Sequence, residues 1–237
     1  MNMFDRRALS LLVVLLLGSG WSCAAVAATY NLYDDFPMVN NPTSPWGFYS
    51  LHSSAQAPHS GQKELLSNFQ PAVPLQGGGF SPSFASWSRD GAPTYGPFVA
   101  RHDPGFSSAS DLFFAPAPVT NTLIQFLLPD AQSMRVDFVV DIRDGHPNPV
   151  IDGEIFKIFH NDLVLIEEIL PAGTFTPKQW VLSVVMNPGD ALYFENDPLN
   201  QASADTLFID ATIITTVVPI PAAVWLLASA LGTLCVS

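Results

Sequence analysis

Groups able to do chemistry are unevenly supplied in this 237-residue chain: 21 Asp and Glu stand against nine Lys and Arg, with five His and two Cys. Carboxylates in such numbers suit two chemistries. A glycosidic bond can be cleaved by two carboxyl groups roughly 5–10 Å apart, and a hard cation such as calcium is held by about six to eight oxygens. The adjacent pairs Asp34-Asp35 and Glu167-Glu168 lie on extended segments, so each pair sends its side chains to opposite faces and diverges. Two clusters fit calcium better. Asp34 and Asp35 with Asp205 would join the first strand to the last, which makes them the expected site of a structural calcium ion. Asp141, Asp144, Asp152 and Glu154 form the second cluster, although Asp144-Gly145 and Asp152-Gly153 are also ordinary turn dipeptides.

The remaining chemistry is sparse. His52, His59, His102, His146 and His160 show no pair at metal-ligand spacing, and His102-Asp103 reads as part of a Pro-Gly turn rather than as a base with its orienting acid. The chain has no GxSxG, no HExxH, no P-loop and no GxGxxG between a strand and a helix, so no catalytic residues are assigned and it is read as a non-enzyme. Sugar binding would use aromatic faces backed by polar side chains. Trp46, Trp87, Tyr49, Tyr95 and Trp180 are available for this. Trp87 and Tyr95 lie in the Gly/Pro/Ser-rich stretch 77–97, where loop exposure is expected, and they lead as glycan platforms with Trp46. Trp46 and Trp180 precede strands and also suit a core. The net charge of −12 and pI near 4.5 oppose nucleic-acid binding.

The elements positioning these residues have a period of two. Met134, Val136, Phe138, Val140 and Ile142 share one face of Met134–Arg143, with Arg135, Asp137, Asp141 and Arg143 opposite. In 205–216, Leu207, Ile209, Ala211 and Ile213 alternate in the same way. Glu154–His160 and Leu163–Leu170 meet at the turn Asn161-Asp162, and Gln179–Met186 and Ala191–Glu195 flank Asn187-Pro-Gly-Asp190. Only Lys63–Asn68 suggests a brief helical turn. With 21 Pro and 15 Gly, and about eleven short strands between regular turns, the expected fold is all-β, a two-sheet antiparallel sandwich of jelly-roll type.

Both chain ends are apolar. Arg6-Arg7, the run Ala8–Gly18 and Ala25-Val26-Ala27-Ala28 have the form of a secretory signal peptide cut by signal peptidase after Ala27 or Ala28. Residues 1–28 are thus the signal, 29–217 the β-sandwich domain and 218–237 a C-terminal segment with an expected transmembrane helix. That helix reaches bilayer length only with help from Thr215–Val218. Without Asp5, Arg6 and Arg7, the middle domain carries 20 acids against 7 bases, a net charge of −13. Both cysteines, Cys23 and Cys235, fall outside it, so no disulfide can staple it.

Two resemblances bear on this plan. Val218-Pro219-Ile220-Pro221-Ala222-Ala223-Val224-Trp225-Leu226 resembles the VPLPA variant of the PEP-CTERM sorting signal of Gram-negative, exopolysaccharide-forming bacteria. That family places the motif, here Val218, Pro219, Ile220, Pro221 and Ala222, before a membrane helix and a basic tail; the present chain stops at Cys235-Val236-Ser237 without the Arg-rich cluster. The resemblance implies processing by an exosortase-type membrane protease and delivery to the cell surface or extracellular matrix. Asn41-Pro42-Thr43-Ser44-Pro45-Trp46-Gly47-Phe48-Tyr49 is similar to the opening of carbohydrate-binding-like β-sandwich domains, followed by His102-Asp103-Pro104-Gly105, Asp111–Pro116 and Gly189–Phe194 in matching order. Together they imply an exported, non-catalytic, glycan-binding component of the surface or exopolysaccharide layer. The alternatives are a secreted carbohydrate-active hydrolase or lyase, a ligand-free matrix protein, and an inner-membrane protein held by its C-terminal helix.

Overall fold

A computed structural model describes residues 27–52, 57–72, 84–90, 97–102, 112–117, 120–145, 153–173, 175–199 and 206–218. The expected signal peptide, apart from Ala27 and Ala28, and the expected C-terminal helix, apart from Val218, lie outside the described residues. Among the described residues no helix is long and apolar enough to cross a membrane. By internal packing the chain divides into Met1–Ala27 with Thr216–Ser237 as one unit and Ala28–Thr215 as the other. The second unit is the sandwich.

Its strands are β1 (Ala27–Asn31), β2 (Trp46–Leu51), β3 (Lys63–Leu65), β4 (Asn68–Gln70), β5 (Phe84–Ser88), β6 (Phe98–His102), β7 (Leu112–Ala115), β8 (Asn121–Leu127), β9 (Met134–Asp144), β10 (Glu154–His160), β11 (Leu163–Leu170), β12 (Lys178–Met186), β13 (Ala191–Pro198) and β14 (Leu207–Val217). Alternation holds along β9, where Met134, Val136, Phe138, Val140 and Ile142 are buried, and along β14, where Leu207, Ile209, Ala211 and Ile213 are buried. Lys63–Leu65 forms a strand instead of the expected helical turn. Its backbone finds ladder partners on β2, Tyr49 opposite Leu65 and Leu51 opposite Lys63, and an isolated short helix has nothing to match them.

One sheet runs β12-β9-β14-β7-β6-β5-β4, with β1 also on β14; the second runs β11-β10-β13-β8-β2-β3. Within them β7–β14 appear as β7-β14-β9-β12 and β8-β13-β10-β11. The chain therefore changes sheet at every connection from β7 to β14 except the β10–β11 hairpin, which is the strand order of a jelly roll. That hairpin turns at Asn161, whose φ is 55°, a conformation Asn tolerates. At the Asn187–Asp190 turn, Asp190 N–H donates to Asn187 O at 2.9 Å. The strands it joins belong to different sheets, so this turn crosses the sandwich.

Aromatic contacts close the sheets on each other. Phe126 of β8 meets Tyr30 of β1 at 5.3 Å between ring centroids, and Phe156 of β10 stacks on Trp180 of β12 at 5.6 Å. Each such side chain contributes about 1.5–3 kcal/mol by leaving water. The chain leading into β2 is fixed by Asn41. Its Nδ2 donates to Phe48 O at 2.8 Å and Leu66 O at 2.7 Å, and its Oδ1 accepts from Phe48 N–H at 2.8 Å. Asn41→Ala strands Phe48 N–H and Leu66 O, at about 1–3 kcal/mol each, while Phe48 O keeps its bond from Leu66 N–H at 3.0 Å. Chemical denaturation is expected to show a loss of about 3 kcal/mol or more with an unchanged m-value.

Candidate functional site

The expected platforms turn inward. Trp87 is 4% exposed; on β5 it alternates into the core, stacks near Phe69 at 4.9 Å and donates its indole N–H to Pro37 O at 2.6 Å. Trp46 is 1% exposed and lies edge-on to Phe126 at 5.2 Å. Both tryptophans are core residues: for Trp87 this corrects the expectation of an exposed stacking face, and for Trp46 it agrees with the core placement that its position before a strand favours over a glycan platform. Tyr95 and Asp205 lie outside the described residues, as do Pro219, Ile220, Pro221 and Ala222 of the sorting motif; Val218 closes the described chain.

The acidic clusters are also rearranged. Asp35 Oδ2 accepts from Asn31 N–H at 2.9 Å, and Asn31 Oδ1 accepts from the N–H groups of Tyr33 and Asp34 at 3.0 Å each. Asp34 and Asp35 thus build a turn after β1. A groove of about 190 Å³ beside it is lined by Asn31, Tyr33, Asp34, Ile209 and Asp210, so it is Asp210 of β14 that shares a groove with Asp34. In the second cluster, Asp141 accepts from Gln179, Asp144 from Gly173 N–H and Glu154 from Asn196; three acids point to three separate partners, and Asp152 lies outside the described residues. Among the described residues no three His, Cys, Asp or Glu side chains converge as metal ligands, short of the six to eight oxygens calcium wants.

Polar and aromatic groups do gather on the outer face of the second sheet. Register places Tyr49, Leu123, Glu195, Lys157 and Glu167 in one row across β2, β8, β13, β10 and β11, and Gly47, Gln125, Tyr193 and Phe159 in the next. Lys157 Nζ donates to Asp197 Oδ2 at 2.8 Å and lies 3.5 Å from Glu195 Oε1, which also accepts from Asn121 Nδ2 at 2.8 Å. Glu195 is fully buried. Burial lifts its carboxyl to about 7, against the pull of Lys157 and Asn121. Burial opposes the Lys157 ammonium too, but its bond to Asp197 and the field of Glu195 prevail and hold its pKa above the ordinary lysine value.

A strap crosses one end of this face. Asp162 Oδ1 accepts from His59 N–H at 2.8 Å and Ser60 N–H at 3.2 Å. Lys63 Nζ donates to Pro58 O at 3.3 Å and Tyr193 OH at 3.0 Å, and His59 Nδ1 lies 3.0 Å from the same phenol. Gly61 is required in the strap, because a Cβ there would meet Ala57 O at 2.3 Å. Lys63 also lies over the Tyr49 and Tyr193 rings, at 5.2 and 4.8 Å from their centroids, and burial lowers its pKa. Two acceptors on the face, Gln125 Oε1 and Glu195 Oε2, are buried without a protein partner, which costs about 1–3 kcal/mol each unless a water or ligand donates to them. Both acceptors and Tyr193 are buried beneath the face, and the half-buried Tyr49 is the tyrosine ring that reaches its surface.

Sequence reasoning missed Lys157, Glu195, Asp197, Asn121 and Gln125. Their only local signal is period-two placement: Lys157 interrupts an apolar strand, and Glu195 and Asp197 alternate with Phe194 and Asn196. Their meeting depends on the β10–β13 register.

No family model matches the chain, and no curated protein does either. Solved structures with a partial likeness include dimeric latent PorU of Porphyromonas gingivalis, 12% identical over 40% of this chain and 10% of that one, TM-score 0.31. A family 35 carbohydrate-binding module of Clostridium thermocellum is 8% identical over 80% of this chain and 98% of its own, TM-score 0.31. CBM51 from Clostridium perfringens GH95, in complex with methyl-galactose, is 9% identical over 78% and 99%, TM-score 0.34. At these scores the likeness decides nothing about the ligand.

Because Glu195 titrates higher when folded than when unfolded, the folded state holds its proton more tightly. Its contribution is complete below the unfolded carboxylate value and is lost as pH rises through about 7. Thermal melts are therefore expected to fall between pH 5 and 8 in the wild type and to flatten in Glu195→Gln, which gains on the order of 3 kcal/mol at pH 8. An unchanged slope in the variant would count against the assignment.

Proposed function

We propose that this is an exported, non-catalytic glycan-binding protein of the cell surface or exopolysaccharide matrix, processed by an exosortase-type protease at its C-terminal motif. The observation that carries the reading is the outer face of the second sheet, where the half-buried Tyr49 ring, with Lys63 Nζ 5.2 Å from its centroid, lies in the same row as the polar network of Lys157 and Glu195. Sugar hydroxyls are donors, and a pyranose face packs on a tyrosine ring. The acidic domain disfavours anionic polysaccharides and favours neutral or amino sugars. The apolar N-terminus and the Val218–Ala222 motif support export and sorting.

Titration calorimetry with neutral, amino and acidic oligosaccharides is expected to give binding to the first two classes. Tyr49→Ala and Gln125→Ala should each weaken it tenfold or more, about 1.4 kcal/mol, when binding is measured well below each variant's own melting temperature. Absence of binding to every sugar by the folded protein would leave the ligand-free matrix reading, and turnover of a glycan would establish the carbohydrate-active enzyme. Intact-mass analysis of material from the producing cells is expected to find cleavage after Ala27 or Ala28 and again near Pro219–Ala223, in protein recovered outside the cell. An uncut C-terminus held in the inner membrane would overturn the sorting claim.

A further inference from the structure

The strand orders end at β12 and β4 in one sheet and at β11 and β3 in the other, with β1 beside β14 off the first order. An edge strand exposes a row of backbone donors and acceptors to any passing strand, and proteins blunt such edges by shortening, bulging or charging them. Three of these edges carry such protection. β3 and β4 have three residues each. β11 bears Glu167 and Glu168, and its ladder with β10 shifts register between Ile158 and Phe159.

β12 has none of it. It spans nine residues in unbroken register with β9, from Lys178 opposite Ile142 to Met186 opposite Met134. It contains no Pro and no Gly, and after Lys178 no charge. Its outward side chains include Val181 at 70% and Val185 at 56% exposure. We infer that β12 is a pairing edge for a second copy of this chain, joined antiparallel about a two-fold axis at Ser183.

The sequence of the strand complements itself in that register. Val181 of one copy faces Val185 of the other, twice, covering the exposed apolar surface; Leu182 faces Val184 and Trp180 faces Met186, extending the inner layer from one sandwich into the next. A two-fold contact of this kind closes on itself and needs only one surface patch. Charge narrows the choice of surface. With a net charge of −13 on the domain, two copies repel across most of their surfaces, whereas Gln179–Met186 is uncharged. The acids nearest to it on β9 are engaged: Asp137 with Arg135 and Asp141 with Gln179. Burial of apolar area then works against weakened repulsion, and added salt strengthens association by screening the remainder. This inference stands apart from the glycan reading, because β12 lies in the other sheet.

Disulfide trapping tests it in the full chain, held in nonionic detergent, with Cys23→Ser and Cys235→Ser as background. Ser183→Cys brings two thiols opposite each other, at a Cα separation of about 4.5–5.5 Å within disulfide reach. Gln179→Cys puts them roughly 27 Å apart, eight residues along the strands. Mild oxidation is expected to cross-link the first and spare the second. Sedimentation should find a dimer that tightens with salt and becomes monomeric in Val181→Lys/Val185→Lys. Val181→Thr/Val185→Thr, a change the strand tolerates well, is expected to weaken the dimer at an unchanged melting temperature. A protein that stays monomeric, equal cross-linking at both positions, or a dimer that survives in both double variants would each overturn the assignment.

Discussion

With no cysteine between Cys23 and Cys235, closure of the sandwich rests on the apolar layer between its sheets. Alternation sets up that layer: β9 and β14 each bury every second side chain, and the aromatic rings of β8, β10 and β12 reach across to complete it. Neither sheet is stable alone with such a face in water. The crossing connections from β7 to β14 follow from this, since each change of sheet commits two strands to opposite sides of the same core. Asn41 supplies the polar counterpart, satisfying backbone groups of Phe48 and Leu66 where the β2–β3 ladder ends.

The two outer faces are then free to differ. On the first sheet, Phe113 sits among Phe84, Phe98, His102 and Phe208 at centroid distances of 5.1–5.8 Å, with the Arg143 guanidinium over Phe208 at 4.6 Å. The second sheet instead carries the Lys157, Glu195 and Asp197 network and the strapped tyrosine. A buried ion network of this kind adds little net stability, because desolvation offsets much of the attraction. What it does provide is directionality: Asn121 and Lys157, the latter anchored by Asp197, hold one oxygen of the buried Glu195 carboxyl.

Much of the fold was legible in the residue pattern. The period-two runs located β9 and β14, apolar runs beside turns located β10, β11 and β12, and the Asn161-Asp162 and Asn187–Asp190 turns were visible from composition; Glu167-Glu168 alternates along β11, whereas Asp34-Asp35, expected on an extended segment, lies in the turn after β1. The site was less legible. Trp87 stands beside a Gly/Pro/Ser-rich stretch that suggested exposure, yet its parity on β5 points it inward, and parity depends on the first paired residue of the strand. Asp34 was noticed, but the partner across its groove is Asp210, which the sequence places on an outward face without saying what lies opposite.

The sequence alone determined which side chains alternate, where the chain must turn, that no disulfide can form within residues 29–217, and that this domain is strongly acidic. These properties are local or additive, so the order of residues suffices. Tertiary structure decided that β12 and β13 go to different sheets at the Asn187–Asp190 turn, and that Lys157 meets Glu195 and Asp197 some forty positions away. It also decided that β12, uncharged after Lys178, is left as a long edge among the described strands. Each of these depends on strand register and strand order, which are settled by the simultaneous burial of all the inner faces and by no single segment.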